Sequence, residues 1–487
     1  MKELLQWLVL SFMLLIMIYQ LMVPPIVGIA NNGDFERIMM WEGIIYKPDF
    51  TFEDKYFNHI NLKFDIIGGQ NFDPKWKFVS SELLFVKLSV WINHILSKTG
   101  EFDLRILGFV HLVFYAVAMY LIISSVDAHR RIFLIGLSLI LVFVFLDVGY
   151  ISYFNSFYSE SSILIFLLLS VGLFLKANKT QRIWFLGAFF IVVLLLAWSK
   201  QQTGLIGFLV ALYGVRMFFL KNDKKTKILI ASMSFLLFAS TSWYFINGTP
   251  AHMKEAQLYD SVFNGILVLS DQPKEELNKL ELPADFERFA NASMFNAKSP
   301  IRDSTFRNIF FNKINHLDVV KYYISNPDKL YLALEVSADH SFNFRPGYGN
   351  FEKSSGMPSK SRSQSFDDWS NIKNQFFPKN LWFIFGFLLL YMMMVIYEWR
   401  RAKNKLPVEV MMLLPIITGM ALVTPFIGVG MTEIGKHMFL FNVLFDICLI
   451  IAVFWLLSKL SLSTKLFRRL NFYSAFIRYN PFKRFLF

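Results

Sequence analysis

Hydropathy along the chain is organised in blocks. Leu4 to Val23 is a nearly uninterrupted apolar run, long enough to cross a bilayer at about 1.5 Å per residue. Further apolar runs lie at about 104–124, 132–147, 161–176, 183–198, 204–220, 228–246, 380–398, 407–427 and 438–458. Counting the first, the pattern predicts ten crossings. The Leu4 to Val23 core is longer than the apolar part of a signal peptide and no small-x-small cleavage site follows it, so it reads as a retained helix. The fold class implied is an all-α polytopic membrane protein of about ten transmembrane helices, with outer-face juxtamembrane helices and a mostly helical extracytoplasmic loop region.

The polar gaps divide the chain into an N-terminal transmembrane module (1–246), a large loop region (247–379), C-terminal transmembrane helices (380–460) and a basic tail (461–487). The first gap, 24–103, contains an amphipathic stretch from Ser80 to Lys98. Counting it as a crossing would reverse the sidedness of His129-Arg130-Arg131 and of every later loop, so it reads as an interfacial helix. In the large region, Ala251–Leu269 and Pro273–Leu280 read as helices. Arg345–Asp368 is rich in Gly, Ser, Pro and Lys and reads as a flexible loop suited to a lid.

Composition agrees: 55% of the 487 residues are hydrophobic and 17% aromatic, more than a soluble chain could expose without aggregating. Cys448 is the single cysteine, which excludes an intrachain disulfide or a cysteine metal cluster. A net charge of +13 raises the question of nucleic acid, and the placement of the charges argues against it. The alternate segments 1–3, 125–131, 176–182, 216–227, 398–409 and 459–487 hold 22 Lys and Arg against 5 Asp and Glu, whereas 247–379 holds 16 of each sign. That is the positive-inside pattern. It predicts a multi-pass protein of the cell membrane with both termini cytoplasmic, and it makes the basic excess a contact for anionic lipid.

Under that topology, ionisable and amide side chains collect at one membrane face, where they are costly to keep. Asp34, Glu36 and Arg37 follow the first crossing in Asn31-Asn32-Gly33-Asp34-Phe35-Glu36-Arg37. Asn155, Tyr158 and Glu160 precede the fourth, Lys200, Gln201 and Gln202 follow the fifth, and Glu433, Lys436 and His437 precede the last. Transfer of a sugar from a polyprenyl phosphate needs this mixture. A carboxylate takes the proton of the attacking hydroxyl, an effect of about 100- to 10,000-fold, and cations hold the departing phosphate. Asp34 suits the base, with Glu160 as a second catalytic carboxylate. Arg37, Lys200, Lys436 and His437 suit the phosphate, and Glu36, Asn155, Tyr158, Gln201 and Glu433 suit the rest of the substrate.

Each residue also has a structural reading: Asp34 as a helix cap, Lys200 as a snorkelling lysine, His437 as a partner of a backbone carbonyl, Glu433 as a loop charge, and Phe154, Phe157 and Tyr158 as an interfacial belt. Convergence on one face favours function over these. The residues assign no cofactor with certainty. A divalent cation is the alternative use of the carboxylates, but Asp34 and Glu36 are too few oxygen ligands to argue one.

Asn32–Arg37, Phe154–Glu160 and Gly435–Asn442, with Tyr259–Leu267 and Gly349–Phe351, carry a resemblance across nearly the whole chain. The set resembles the GT-C superfamily of polyprenyl-phosphate-dependent membrane glycosyltransferases, most closely bacterial S-layer glycan hexose transferase-like membrane proteins. The resemblance implies a polyprenyl-phosphate-linked sugar donor, a glycan or lipid-linked acceptor, inversion at the anomeric carbon, and Asp34 as base. Many members carry two adjacent acids in the first loop, whereas here Glu36 stands two residues beyond Asp34. Two other classes compete. A polymerase or ligase of lipid-linked repeats would lean on clustered outer arginines, and Arg288, Arg302, Arg307, Arg345 and Arg362 are scattered. A transporter would show broken helices in repeated halves, and Pro415 and Pro425 have no counterpart elsewhere.

Overall fold

The computed structural model describes residues 2–67, 78–97, 99–125, 131–294 and 299–463. The basic tail from 464 onward, His129-Arg130 and Lys298 lie outside the described residues.

Among these residues, eight helices are long and apolar enough to cross a bilayer. They are α1 (Lys2–Met22), α3 (Leu104–Ser125), α5 (Glu160–Thr180), α7 (Gln201–Leu220), α8 (Lys224–Asn247), α12 (Leu381–Arg401), α13 (Leu406–Val429) and α14 (Phe439–Ser463). The two remaining sequence-predicted crossings take different forms. The run at 132–147 becomes α4 (Arg131–Phe145), followed after a 57° bend by Val148–Phe154. Asp147 makes the break: its carboxylate accepts from Gly149 N at 2.7 Å and starts a new helical turn. The run at 183–198 is the 15-residue α6 (Ile183–Ala197), about 22 Å long.

Polar contacts sort the helix ends into two sets. At one end Gln6 donates to Ile123 O, Lys179 to Ser124 O and Ser125 O, Tyr213 to Leu406 O, and Asn404 to Asn178. At the other end lie the C-terminus of α1 and the N-termini of α5, α7 and α14. Helix α5 is buried on every side through its first four turns, as expected of the centre of a bundle. Where α7 meets α8, a Cβ on Gly214 would lie 1.9 Å from Ser234 Oγ and one on Gly207 2.6 Å from Thr241 Oγ1. Small residues there let the two backbones approach.

The first gap folds as α2 (Glu82–Leu96) beside a three-stranded antiparallel sheet, β1 (Ile44–Ile45), β2 (Lys63–Ile66) and β3 (Glu101–Asp103). The strands were not legible from hydropathy because each is only two to four residues long. Helix α2 buries Phe85, Val86, Ser89 and Val90 and exposes Leu84, Trp91, Ile95 and Leu96. An outward apolar face on a helix of 15 residues suits the interfacial role.

The large region contributes α9 (Ala251–Ser261), which runs into a π-helical turn at Val262–Ile266, then α10 (Pro327–Asp339) and α11 (Asp368–Phe376) among other helices. It does not stand apart as a soluble unit. Its Tyr259, Phe263, Phe310 and Tyr323 belong to the same apolar core as Phe426 of α13 and Phe439 of α14.

The reading of Arg345–Asp368 as a flexible lid is corrected. Gly349 N donates to Phe57 O at 2.9 Å, and its carbonyl accepts from Ala30 N at 2.9 Å. Gly28 N donates to Asn350 O and Ile60 N to Phe351 O, at 2.9 and 3.0 Å. A Cβ on Gly349 would sit 1.8 Å from Asn58 O, so the seam needs glycine there. The segment is a fixed seam between the first gap and the large region, which places Tyr348 at the site.

Candidate functional site

The site begins with Asn31, whose side-chain oxygen accepts from Gly33 N at 2.8 Å and Phe35 N at 3.0 Å. This turn, with Gly33 at φ +104°, leads into the short helix Glu36–Met39. The helix carries no side-chain cap, Asn31 fixes the turn before it, and the Asp34 carboxylate, which does not do the capping that the structural reading gave it, is left for other partners. One oxygen pairs with Arg37 Nη2 at 2.7 Å, and the other accepts from Lys436 Nζ. Lys436 is almost fully buried, with its ammonium 4.2 Å from the centre of the Tyr158 ring. Burial alone would raise the Asp34 pKa, but Arg37, Lys436 and Lys200 outweigh it and hold the carboxyl well below the usual range.

Lys200, at the start of α7, donates to Glu160 at 2.8 Å. Glu160 is 2% exposed, so its role is to fix Lys200 beside Asp34. His437 is half-buried; desolvation and the charges of Lys200 and Lys436 drive its pKa well below the ordinary value, so it is neutral. Gln202 donates to the carbonyls of Ala421 and His437, both at 3.3 Å, and ties α7 to the segment before α14. Gln201 lies half-buried in the same turn.

Several predicted substrate contacts take structural roles instead. Glu36 accepts from Tyr56 Oη at 2.7 Å and Asn31 Nδ2 at 3.0 Å, so it braces the turn. Asn155, 0% exposed, donates to Leu21 O at 2.9 Å and Val27 O at 2.8 Å. It clips the end of α1 and cannot meet a ligand there. The buried Tyr158 hydroxyl accepts from Asn32 N at 3.0 Å and lies 2.9 Å from Asn32 Oδ1, and its ring supports Lys436. Glu433 does reach the rim: at φ +47°, it accepts from Asn32 Nδ2 at 2.6 Å and from Tyr348 Oη.

Sequence reasoning missed Asn32 and Tyr348 as rim residues. It also missed the pair beneath the site, His111 and Glu82, both fully buried and 2.8 Å apart. His111 Nδ1 lies 2.9 Å from Phe154 O, and Glu82 Oε2 accepts from Ser162 N at 3.2 Å. Together they bind α2, α3 and the start of α5. The available signal was an ionisable side chain inside the apolar run of α3.

Below this cluster an apolar cavity of about 250 Å³ runs between α3, α4, α5, α6, α7, α13 and α14. Along α5 it is lined from Leu167 to Lys179, a rise of about 18 Å that begins roughly 10 Å from Glu160. A partly exposed charged cluster thus lies at one end of the bundle, and the cavity, which shares no lining residue with it, extends toward the other end at Ser125, Asn178 and Lys179. A divalent cation does not fit the donor set: Asp34 faces two cations, Glu36 is turned to Tyr56, and among the described residues no three His, Cys, Asp or Glu side chains converge.

Fold and site together define a polytopic helical membrane protein with a partly exposed cluster of charged side chains at one end of its bundle. Residues 2–473 match the family described as YfdI N-terminal transmembrane domain, and the chain belongs to that family. No curated protein shows a significant match to it.

Proposed function

We propose that the protein is an inverting membrane glycosyltransferase that moves a hexose-type sugar from a polyprenyl-phosphate donor to a cell-surface glycan or glycolipid acceptor on the outer face. The observation that carries this reading is the gathering of Arg37, Lys200 and Lys436 around Asp34 at one end of a bundle that holds an apolar cavity. Cations suit a phosphate, and an apolar cavity among the same helices suits part of an isoprenoid chain. The resemblance to the GT-C superfamily points the same way.

In this reaction the acceptor hydroxyl oxygen attacks the anomeric carbon as the bond from that carbon to the phosphate oxygen breaks. The electron pair leaves with the phosphate, and the hydroxyl proton passes to Asp34. The phosphodiester becomes a monoester with one more negative charge, which Arg37, Lys200 and Lys436 neutralise. Glu160 orients Lys200, and neutral His437 is a hydrogen-bond donor for a phosphate oxygen.

The test is incubation of membranes with a panel of polyprenyl-phosphate sugars, with consumption followed by mass spectrometry. Wild type should consume a monosaccharide donor, and Asp34→Asn should be slower by about 100- to 10,000-fold. A fully active Asn variant would end the base assignment. Consumption of lipid-linked oligosaccharides in place of monosaccharides would favour the polymerase reading.

A further inference from the structure

A general base works best when its proton affinity lies near the working pH. Asp34 is arranged for the opposite: both carboxylate oxygens are held by cations, Arg37 at 2.7 Å and the ammonium of Lys436. The other groups facing it do not relieve this. Lys200 adds positive charge from the start of α7, His437 is neutral, and the Tyr158 hydroxyl is committed to Asn32. The same cations are the ones a phosphate would need. Asp34 retains 24% of its side-chain exposure while Lys436 retains 2%, so the carboxylate lies over the ammonium as a cover.

We infer that Asp34 is a masked base, released when the donor phosphate displaces it from Lys436 and Arg37. The inference rests on the glycosyltransferase reading and adds to it an order of events. Without donor, the carboxylate neutralises the cations and is a poor proton acceptor. With donor, the phosphate takes over that role, Asp34 regains the proton affinity of an ordinary carboxylate, and the base is armed beside the anomeric carbon. Arming the base only on donor binding keeps an idle site from activating water.

Binding of citronellyl methyl phosphate to the purified full-length protein, followed by calorimetry between pH 7 and pH 4, tests this. The probe is a short isoprenoid phosphodiester that keeps a single negative charge across that range. Release of Asp34 raises its proton affinity in the complex, so wild-type affinity should increase as the pH falls into the carboxylate range. Asp34→Asn and Asp34→Ala should bind about tenfold or more tighter at pH 7, the equivalent of one pKa unit of linkage, and should lose the pH dependence.

The same pH series on His437→Gln separates protonation of His437 beside the phosphate from that of Asp34, and it stands even where an Asp34 variant fails to fold. A flat wild-type profile, or variants that bind no tighter than wild type, would overturn the inference. The two claims fail separately. An Asn variant that is inactive with unchanged affinity removes the masking and keeps the base, whereas one that binds tightly and still transfers sugar removes the base.

Discussion

Lys373 of α11 and Asp446 of α14 form an ion pair at 2.8 Å with both side chains fully buried. Asp446 also accepts from Tyr150 Oη at 2.6 Å and Trp369 Nε1 at 2.8 Å. The Lys373 ammonium lies 4.8 Å from the centre of the Phe344 ring and 5.7 to 6.0 Å from those of Phe342, Trp369 and Phe445. The pair is therefore lopsided. Removing the carboxylate leaves the ammonium in an aromatic cage worth about 2 kcal/mol when desolvated. Removing the ammonium leaves a buried carboxylate with two neutral donors, and breaking such a pair from one side costs about 3–5 kcal/mol.

Lys373→Met should thus destabilise more than Asp446→Asn. The double variant should be more stable than Lys373→Met alone, because no charge is left buried. Thermal unfolding of detergent-purified protein, read by tryptophan fluorescence, gives the ranking. A double variant no more stable than Lys373→Met would refute the reasoning, as would a Lys373→Met protein that melts like wild type.

Gly349→Ala should loosen the seam at Asn58 by about 1–3 kcal/mol or more, seen as faster amide exchange at residues 28–30 and 57–60. Asp260, pushed up by burial to about 6, holds a proton in the folded state that the unfolded chain, with an ordinary pKa of 3.8, has lost. Its contribution favours folding below that window and declines as pH rises through it. Asp260→Asn should accordingly stabilise the protein at pH 7.5 relative to wild type and lose that advantage by pH 4. Reporter fusions at Lys224 and Lys298 should fall on opposite sides of the membrane, Lys224 inside; the reverse assignment would move the site to the cytoplasm.

Hydropathy marked the crossings because a helix in hydrocarbon needs a long apolar run, and that signal is local. It passed over the break at Asp147, where one polar residue in an apolar stretch redirects the chain. The segments holding Asp34, Glu160, Lys200 and Lys436 were legible as polar residues at the ends of apolar runs. Their pairings were not, since each joins distant parts of the sequence. Asn155 and Glu36 looked like ligand-binding residues by type, yet the carbonyls of Leu21 and Val27 and the hydroxyl of Tyr56 claim them. Tyr348 escaped notice because it sits in a stretch whose composition suggests mobility, while its backbone pairing with residues 57–60 is invisible to composition.

Asp34 and Lys436 lie 402 residues apart. At translation rates of about 5–20 residues per second, a nascent chain carries Asp34 for roughly 20 to 80 s with Arg37 alone before its buried partner Lys436 exists. The cluster is therefore finished among the last events of synthesis, after the Arg345–Asp368 seam and shortly before α14 is inserted. A ribosome that stalls after α13 leaves a bundle with most of its helices and an incomplete charged cluster. Biogenesis itself thus delays the completed Asp34 cluster until nearly the whole protein is in the membrane.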